Sequence, residues 1–163
     1  MNNARKRMLF DTLVWSASLL FAFGLVTSEA MADSKRISAT NEKWKAECGS
    51  CHIAYPPNLL PAPAWRQIMA GLGKHFGTDA SLDAAATAEV AAFLERNAGS
   101  GKRAAGAPAS LRITETPWFV RKHGEVPRAA WKNPQVKTAA NCSACHGGAE
   151  GGDFDEDAVR IPR

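Results

Sequence analysis

Several residue types and sequence patterns are scarce in this chain, and their scarcity limits the classes of fold and function that it can have. It contains four cysteines, a single tyrosine and, after residue 32, one methionine, Met69. Its basic residues form only short pairs, such as Lys102-Arg103 and Arg121-Lys122, so nothing supports nucleic-acid binding. No segment after residue 32 alternates apolar and polar residues as a half-buried strand does. These shortages favour a small, mainly helical protein.

The first 32 residues have the three parts of an export signal. Arg5-Lys6-Arg7 is a basic start, Met8 to Val26 is mostly apolar, and Ala30-Met31-Ala32 fits the cleavage pattern, which predicts cleavage before Asp33. An uncleaved membrane anchor is the alternative, because the apolar stretch is near the lower length limit of a span. Either way the working part of the chain lies outside the cytoplasm. Cleavage removes three bases and two acids, so the net charge falls from +4 to +3.

All four cysteines lie in two copies of one motif. Cys48-Gly49-Ser50-Cys51-His52 and Cys142-Ser143-Ala144-Cys145-His146 both have the pattern Cys-x-x-Cys-His. This is the attachment pattern of a c-type haem. The two thiols lie on one side of a helical turn, where each can form a thioether to a vinyl carbon, and the adjacent His turns toward the iron. The sequence therefore predicts two covalently attached haem c groups, held by Cys48, Cys51, Cys142 and Cys145, with His52 and His146 as iron ligands.

Other uses of the cysteines fit less well. A structural zinc site could use two Cys-x-x-Cys pairs, but these pairs are far apart, and zinc does not require a His after each. A thioredoxin-like redox pair needs a βαβ pattern, and none is visible. Four cysteines also allow three disulfide connectivities, against which the two paired histidines argue.

Helices are predicted on both sides of a proline-rich stretch in the first half. Asn41 is expected to cap a helix from Glu42 to Glu47 that leads into the first motif. Prolines at positions 56, 57, 61 and 63 predict an extended loop. A helix from Ala64 to Gly73 follows, and Ser81 is expected to cap a longer helix that ends near Asn97.

The second half is predicted to contain shorter helices than the first half. Residues 98–110 are rich in Gly, Ala, Ser and Pro and are interpreted as a linker. Thr116-Pro117 is expected to start a short helix that carries His123. The predicted divisions are a signal peptide at 1–32, one haem domain at 33–97, the linker at 98–110 and a second haem domain at 111–163. Each half has about the size at which a protein core is marginal, so we expect the haem-free chain to fold poorly.

Two histidines remain outside the motifs. His75 lies 23 residues after His52, and His123 lies 23 residues before His146. Because His is a common axial ligand of haem, we predict that both are sixth ligands, which gives two bis-His irons. Met69 is the competing ligand, although a Met on the apolar side of a helix is more often core. Spacing leaves open whether each distal His serves its own half or the other.

Further residues make the chain resemble a known family, the small dihaem cytochromes c of proteobacteria. In the first half these are Tyr55-Pro56-Pro57, Leu59-Leu60-Pro61, Trp65 and His75-Phe76-Gly77. In the second half they are Thr116-Pro117-Trp118-Phe119, His123, the second haem motif with Asn141, and Ile161-Pro162. The resemblance covers nearly all of the chain after residue 32.

The resemblance implies a fold and a function. It implies a mainly α fold with a class I cytochrome c-like N-terminal haem domain and a smaller C-terminal haem-binding domain. It also implies bis-His ligation and periplasmic electron transfer between redox proteins, in some members from a membrane cytochrome b to a monohaem cytochrome. We therefore expect a non-enzymatic electron carrier. A gas-binding haem protein or a small haem enzyme is the alternative, and it would require His75 or His123 to leave the iron.

An acidic run near the C-terminus allows two interpretations. Asp153 to Asp157 holds four acidic side chains. It could form a docking face for a basic redox partner, since opposite charges steer such encounters. A solvated loop explains the same residues.

Overall fold

Short helices joined by turns make up the described part of the chain, residues 40–107 and 109–162 of a computed structural model. These residues belong to one compact unit, Asp33–Arg163. The signal peptide predicted for residues 1–32 lies outside them. The helices are α1 (Glu42–Cys48), α2 (Ala62–Ala70), α3 (Ala84–Arg96), α4 (Gly101–Ala104), α5 (Pro117–Lys122) and α6 (Arg128–Trp131).

Within the described ranges, six 3₁₀ turns connect or follow the helices. They are Pro57–Leu59, Leu72–Lys74, Ile113–Glu115, Cys142–Ala144, Ala149–Gly151 and Glu156–Ala158. The described residues contain no β-strand, only an isolated bridge between His75 and Thr78. The mainly α fold predicted from the sequence is thereby confirmed. Within the same ranges, no helix is both long and apolar enough to cross a membrane.

Helix α1 begins as the sequence predicts and ends one residue later. The Asn41 side chain accepts a hydrogen bond from the backbone N–H of Trp44 at 2.7 Å, which satisfies one of the free donors of the first turn. Gly49 follows the helix and makes the turn into the haem motif. A Cβ at this position would collide with the carbonyl oxygen of Lys45, so only glycine permits this path.

The proline-rich stretch is more helical than predicted. Pro57–Leu59 forms a 3₁₀ turn, and α2 begins at Ala62, so the extended loop expected through Pro63 is wrong at its end. Proline is tolerated in the first turn of a helix, because the N–H that it lacks would have no partner there. Helix α2 also stops at Ala70, short of the predicted Gly73, and the chain continues as the 3₁₀ turn Leu72–Lys74.

Helix α3 has a different cap from the predicted one. Asp83, and not Ser81, is the N-cap, and its carboxylate accepts a hydrogen bond from the N–H of Ala86 at 2.8 Å. Both residue types cap well, but the helix starts two residues later than Ser81 requires. The backbone N–H of Ser81 instead donates to the carboxylate of Asp79 at 2.9 Å.

A hydrophobic core of the described residues lies in the first half, where α3 packs against α2 and α1. Its buried residues come from all three helices and the turn between the first two, and they include the only methionine after residue 32. They are Trp44, Leu60, Ala64, Trp65, Met69, Val90, Phe93 and Leu94. Trp44 and Phe93 are in ring contact at 5.1 Å. Packing of this kind, between protein side chains alone, supplies hydrophobic stabilisation without a cofactor.

The predicted linker at 98–110 contains the short helix α4. Its Ala104 is buried, and the N–H of Gly99 donates to the carbonyl of Leu60 at 2.9 Å. Helix α4 contacts both the turn Pro57–Leu59 and α5. The described residues of this segment therefore pack against both halves, while the division into two haem domains stays a prediction.

The second half consists mostly of turns. Thr116 caps α5 and Pro117 is its first residue, as the sequence predicts, and the buried Thr116 hydroxyl accepts from the N–H of Phe119 at 3.2 Å. His123 is the C-cap of this helix. Near the C-terminus, the N–H of Arg160 donates to the carbonyl of Cys145 at 2.9 Å. This bond ties the last described residues to the second haem motif.

Candidate haem-binding sites

The first motif lies at the C-terminal end of α1. Cys48 is the last residue of the helix and Cys51 lies in the following turn. Burial, followed by the neighbouring charge of Glu47, raises the pKa of the Cys48 thiol to about 11. A thiol in this setting stays protonated at neutral pH. A thioether is also uncharged, so this burial is compatible with the alkylated form of the side chain.

His52 is held from two sides. Its Nδ1 lies 2.6 Å from the carbonyl oxygen of Ile53, a distance at which the ring N–H donates. Its ring also stacks on Tyr55, with centroids 4.5 Å apart. A bond from Nδ1 to a backbone carbonyl sets the tautomer that leaves Nε2 free for a metal. The sequence had not indicated which carbonyl makes this bond.

His75 lies opposite His52. The centroids of the two rings are 6.3 Å apart, and the ring planes are inclined by 31°. Burial lowers the pKa of His75, and the charges of His52 and Arg112 lower it further. A neutral imidazole is the form that binds a metal, so these surroundings favour ligation.

The second motif folds as a 3₁₀ turn, Cys142–Ala144. The N–H of Cys145 and the N–H of His146 both donate to the carbonyl of Cys142, at 3.2 and 2.9 Å. Burial raises the pKa of the Cys142 thiol to about 11 and also raises that of Cys145. The turn thus brings the two sulfurs and the imidazole of one motif close together along the chain, as thioether attachment requires.

His123 and His146 form the second pair. Their ring centroids are 6.2 Å apart, with the planes inclined by 72°. His123 stacks on Phe119 at 3.9 Å, and its Nδ1 lies 3.0 Å from the carbonyl of Phe119. Burial lowers the pKa of His146, and His123 lowers it further, whereas Asp153 acts in the opposite direction. The Nδ1 atom of His146 is buried and has no hydrogen-bond partner among the described residues.

A cavity of about 600 Å³ is lined mainly by residues of the second half, together with Tyr55 and Leu59 of the first half. This volume is within the range of pockets that hold small molecules and cofactors. Aromatic rings and the residues of the second motif share its wall, as expected for a flat apolar group held by thioethers. Lining residues include Trp118, Phe119, His123, Trp131, Cys142, Cys145, His146 and Phe154.

The two histidine pairs have nearly the same separation. A metal–imidazole bond of about 2 Å places the ring centroid about 3 Å from the metal, so two rings on opposite sides of one metal have centroids about 6 Å apart. Both observed separations, 6.3 and 6.2 Å, match this value. The residues therefore fit two six-coordinate haem irons. The structure brings each distal His to the motif His of its own half.

Comparisons with known proteins agree with these sites. The model of the family described as Dihaem cytochrome c matches residues 44–154, which include both motifs and both distal histidines. The chain belongs to the dihaem cytochrome c family. Its cofactors are accordingly two covalently attached haem c groups, and Cys48, Cys51, Cys142 and Cys145 fit their attachment motifs. The comparison with curated protein sequences gave no match.

Solved structures of dihaem cytochromes resemble this chain over most of their length. A diheme cytochrome c from Shewanella baltica OS155 is 48% identical, with a TM-score of 0.66, over 75% of this chain and 93% of that one. A diheme cytochrome c from Rhodobacter sphaeroides is 43% identical, with a TM-score of 0.64, over 71% and 97% of the two chains. Identity of this size supports a common fold and a common cofactor content.

Tyr55 links the two halves of this dihaem cytochrome. Its hydroxyl donates to the carbonyl of Ala140 at 2.6 Å, two residues before Cys142, while its ring stacks on His52. Burial, followed by the charge of Cys142, raises the pKa of Tyr55 to about 12, so the hydroxyl remains a donor at neutral pH. The sequence predicts ordinary packing for Tyr55 and does not indicate its contact with the second half. The available signal was that it is the chain's single tyrosine and lies three residues after the first motif.

Three of the four acidic side chains in the run Asp153 to Asp157 form hydrogen bonds or ion pairs within the protein. The carboxylate of Asp153 accepts from the N–H of Asp155 at 3.0 Å, and that of Asp155 accepts from the N–H of Asp157 at 2.9 Å. Glu156 pairs with Lys122 at 2.7 Å. These contacts explain why acidic residues stabilise the turn, and the docking role stays a prediction.

Proposed function

We propose that this dihaem cytochrome is an electron carrier in which both haem irons have two His ligands. His52 and His75 would ligate one iron, and His123 and His146 the other. The observation that supports this most strongly is the matched separation of the two pairs, 6.3 and 6.2 Å. A single pair at this distance could arise from packing alone. Two pairs, each of which joins a motif His to a His outside the motifs, favour iron ligation in both halves.

Met69, the alternative iron ligand, is buried in the hydrophobic core of the first half. Met69 is 8% exposed and packs with Trp65, Leu94 and other residues of α2 and α3. His/Met ligation raises the reduction potential of a haem, so the proposed bis-His sites would have lower potentials than a His/Met cytochrome. When bound, the haem groups supply reversible one-electron chemistry. Two protein ligands at each iron leave no open position for substrate, which favours a carrier over an enzyme.

The location and partners of the carrier are part of this proposal. Attachment of c-type haem after export and the signal sequence expected at residues 1–32 support a periplasmic location. The redox partners would be proteins, with a membrane cytochrome b as donor and a monohaem cytochrome as acceptor. The acidic run Asp153 to Asp157 would then face a basic partner.

Electron paramagnetic resonance of the ferric holoprotein tests the ligation. We expect two low-spin signals and no high-spin signal. Because the ring planes are inclined by 31° in one pair and 72° in the other, the two signals should differ. His75→Ala and His123→Ala form a matched pair of variants. Each should convert one signal, and a different one, to high spin. A high-spin iron in the wild type would contradict bis-His ligation.

Rapid mixing tests the carrier function itself. The fully reduced protein should deliver two electrons to an excess of an oxidised monohaem cytochrome c of higher potential, without loss of low-spin character. Replacing the four acidic side chains of residues 153–157 with amides should slow this reaction at low salt, while the corresponding amide changes at Glu42 and Glu89 serve as the control. A rate independent of the acidic run would remove it from the proposed docking face.

A further inference from the structure

The four proposed iron ligands are not held equally. Nδ1 of His52 is bonded to the carbonyl of Ile53, and Nδ1 of His123 to the carbonyl of Phe119, at 2.6 and 3.0 Å. Within residues 40–107 and 109–162, no atom forms a hydrogen bond with the imidazole of His75, and Nδ1 of His146 also lacks a partner. Each pair thus contains one tethered and one untethered ring. Such bonds orient a ligating His and strengthen its donor nitrogen.

The two untethered rings differ in what else restrains them. His146 belongs to a haem motif, so thioethers at Cys142 and Cys145 fix its position along the chain. Its backbone N–H donates to Cys142, and the carbonyl before it accepts from Arg160. His75 has no covalent neighbour of this kind. Among the four ligands, it is the one that has neither a haem motif beside it nor a hydrogen bond from its imidazole to any described residue.

The loop that carries His75 is a tight turn. The N–H of Thr78 donates to the carbonyl of His75 at 3.0 Å, and the two residues between them have positive φ angles, 49° for Phe76 and 100° for Gly77. A positive φ is uncommon for an aromatic residue and stores conformational strain. His123, in contrast, continues directly from α5 and lies against the buried Phe119. The strained backbone thus lies at Phe76, directly after His75, whereas movement of His123 would disturb the end of α5 and the stacked pair with Phe119.

Phe76 is the residue that limits this movement. Its ring contacts the edge of His75, with centroids 4.7 Å apart, and the guanidinium of Arg112 lies 4.5 Å from the Phe76 ring centre. Arg112 also reaches Glu115 at 3.8 Å. The turn is therefore covered by one exposed aromatic ring and one arginine from the second half, and neither forms a hydrogen bond to the imidazole.

We propose that the distal side of the first haem is an exchangeable ligand site that takes small uncharged ligands such as carbon monoxide, with His75 as the ligand that leaves. This inference rests on the proposed bis-His ligation. In the exchange, Nε2 of His75 withdraws its electron pair from the iron and the incoming carbon atom donates its own pair. No electron is transferred and no co-reactant is needed. The ligand can bind only to the fraction of molecules in which His75 has moved away, so its apparent affinity reports that fraction.

Carbon monoxide uptake by the ferrous holoprotein tests the proposal. We expect one carbon monoxide per chain in the wild type, with half of the haem absorbance changed. His75→Ala should also bind one, with the same difference spectrum, because the same iron responds. His123→Ala should bind two. No uptake by the wild type, or two for His75→Ala with one for His123→Ala, would overturn the assignment.

The wild-type spectrum before gas is added separates the two proposals. If both irons are low-spin and carbon monoxide has no effect, the bis-His proposal stands and the exchangeable site is refuted. If a high-spin iron is present before carbon monoxide is added, the bis-His proposal itself fails. Both readings use the unmodified holoprotein, so they do not depend on whether either His variant folds.

Phe76→Ala gives a second test with no ligand removed. Loss of the ring contact should raise the apparent affinity for carbon monoxide about two- to tenfold, the range that one aromatic pair corresponds to. Val120→Ala is the control, because Val120 is also an exposed apolar residue but lies on α5. Equal affinities for Phe76→Ala, Val120→Ala and the wild type would show that this turn does not limit exchange.

Discussion

The two halves of the molecule bury their apolar residues in different ways. The first half packs three helices into one cluster of eight buried side chains, among them Leu60, Val90 and Leu94. The described residues of the second half form two short helices, α5 and α6, and their buried apolar side chains are Phe119, Ala130, Val136 and Ala149. Of these four, Phe119 and Val136 line a cavity of about 600 Å³. The first half therefore has a core of packed side chains, whereas the second half surrounds a cavity that a haem would fill.

This difference follows from length. A short chain buries too small a fraction of its surface to fold by itself, and cofactors or covalent links supply the missing stabilisation. The first half is less affected, because α2 and α3 are long enough to bury apolar side chains against each other. In the described residues of the second half, no helix exceeds six residues. Attachment of the second haem should therefore be a folding event, and attachment of the first should be closer to binding on a partly formed scaffold.

The largest expected effect comes from removing one haem at a time. Cys142→Ala with Cys145→Ala should abolish amide-exchange protection throughout residues 111–162 and leave α2 and α3 protected. The matched change, Cys48→Ala with Cys51→Ala, should leave residual protection in α2 and α3, because their contacts do not need haem. Hydrogen exchange read by mass spectrometry on the exported protein measures both. Equal protection of the two halves after loss of their own haems would contradict the comparison.

Matched valine substitutions, one in each half, should show whether the two halves differ in how they pack. Val90 and Val136 are both almost fully buried, at 0% and 2% exposure. Val90→Ala leaves a void among protein side chains and should lower the free energy of unfolding by about 2 kcal/mol, with little change in either haem spectrum. Val136 lines the cavity, so Val136→Ala should cost about 1 kcal/mol and shift the spectrum of the second haem.

Denaturant titration, followed by helix content and by haem absorbance, measures the two valine variants. The ratio of the two effects is the informative quantity, because the chemical change is the same. If Val136→Ala proves as costly as Val90→Ala and leaves the haem spectrum unchanged, the second half has a protein core of its own.

Tyr55→Phe tests the connection between the halves. The change removes the hydroxyl that donates to the carbonyl of Ala140 and keeps the ring stacked on His52. The expected loss is about 1 kcal/mol, the usual net contribution of such a bond. The unfolding transitions of the halves should also separate further along the denaturant axis. Unchanged coupling between the transitions would mean that α4 carries the connection instead.

The smallest effect is expected from the ion pairs. Among the described residues, both halves contain an ion pair between residues distant in sequence, Arg66 with Glu95 at 2.8 Å and Lys122 with Glu156 at 2.7 Å. All four side chains are substantially exposed, so a double-mutant cycle on either pair should give at most about 1 kcal/mol and less at high salt. A larger value for the second pair would identify Glu156 as a structural residue of the C-terminal turn.

Local signals in the sequence predicted several elements well. Asn41 before α1, and Thr116-Pro117 before α5, were identified because a cap and an N1 proline act within one helical turn. The sequence predicts Ser81 as the cap of α3 and places Asp83 in its first turn, but both residue types cap well, so the residue type alone does not show where the helix starts. Pro63 was assigned to a loop for a similar reason, since proline is compatible with a loop and with a first helical turn.

The cofactor was determined by the sequence alone, because attachment of a c-type haem needs only two thiols and a His at fixed spacing along the chain. The inventory of four histidines likewise indicated two pairs. Tertiary structure alone decided which rings face each other, since His75 and His123 are each 23 residues from a motif His and spacing carries no direction. It also decided that Tyr55 reaches Ala140, 85 residues away, and that His75 lies on a strained turn. Contacts between residues so far apart depend on how the helices pack, and no pattern within a short stretch of chain encodes them.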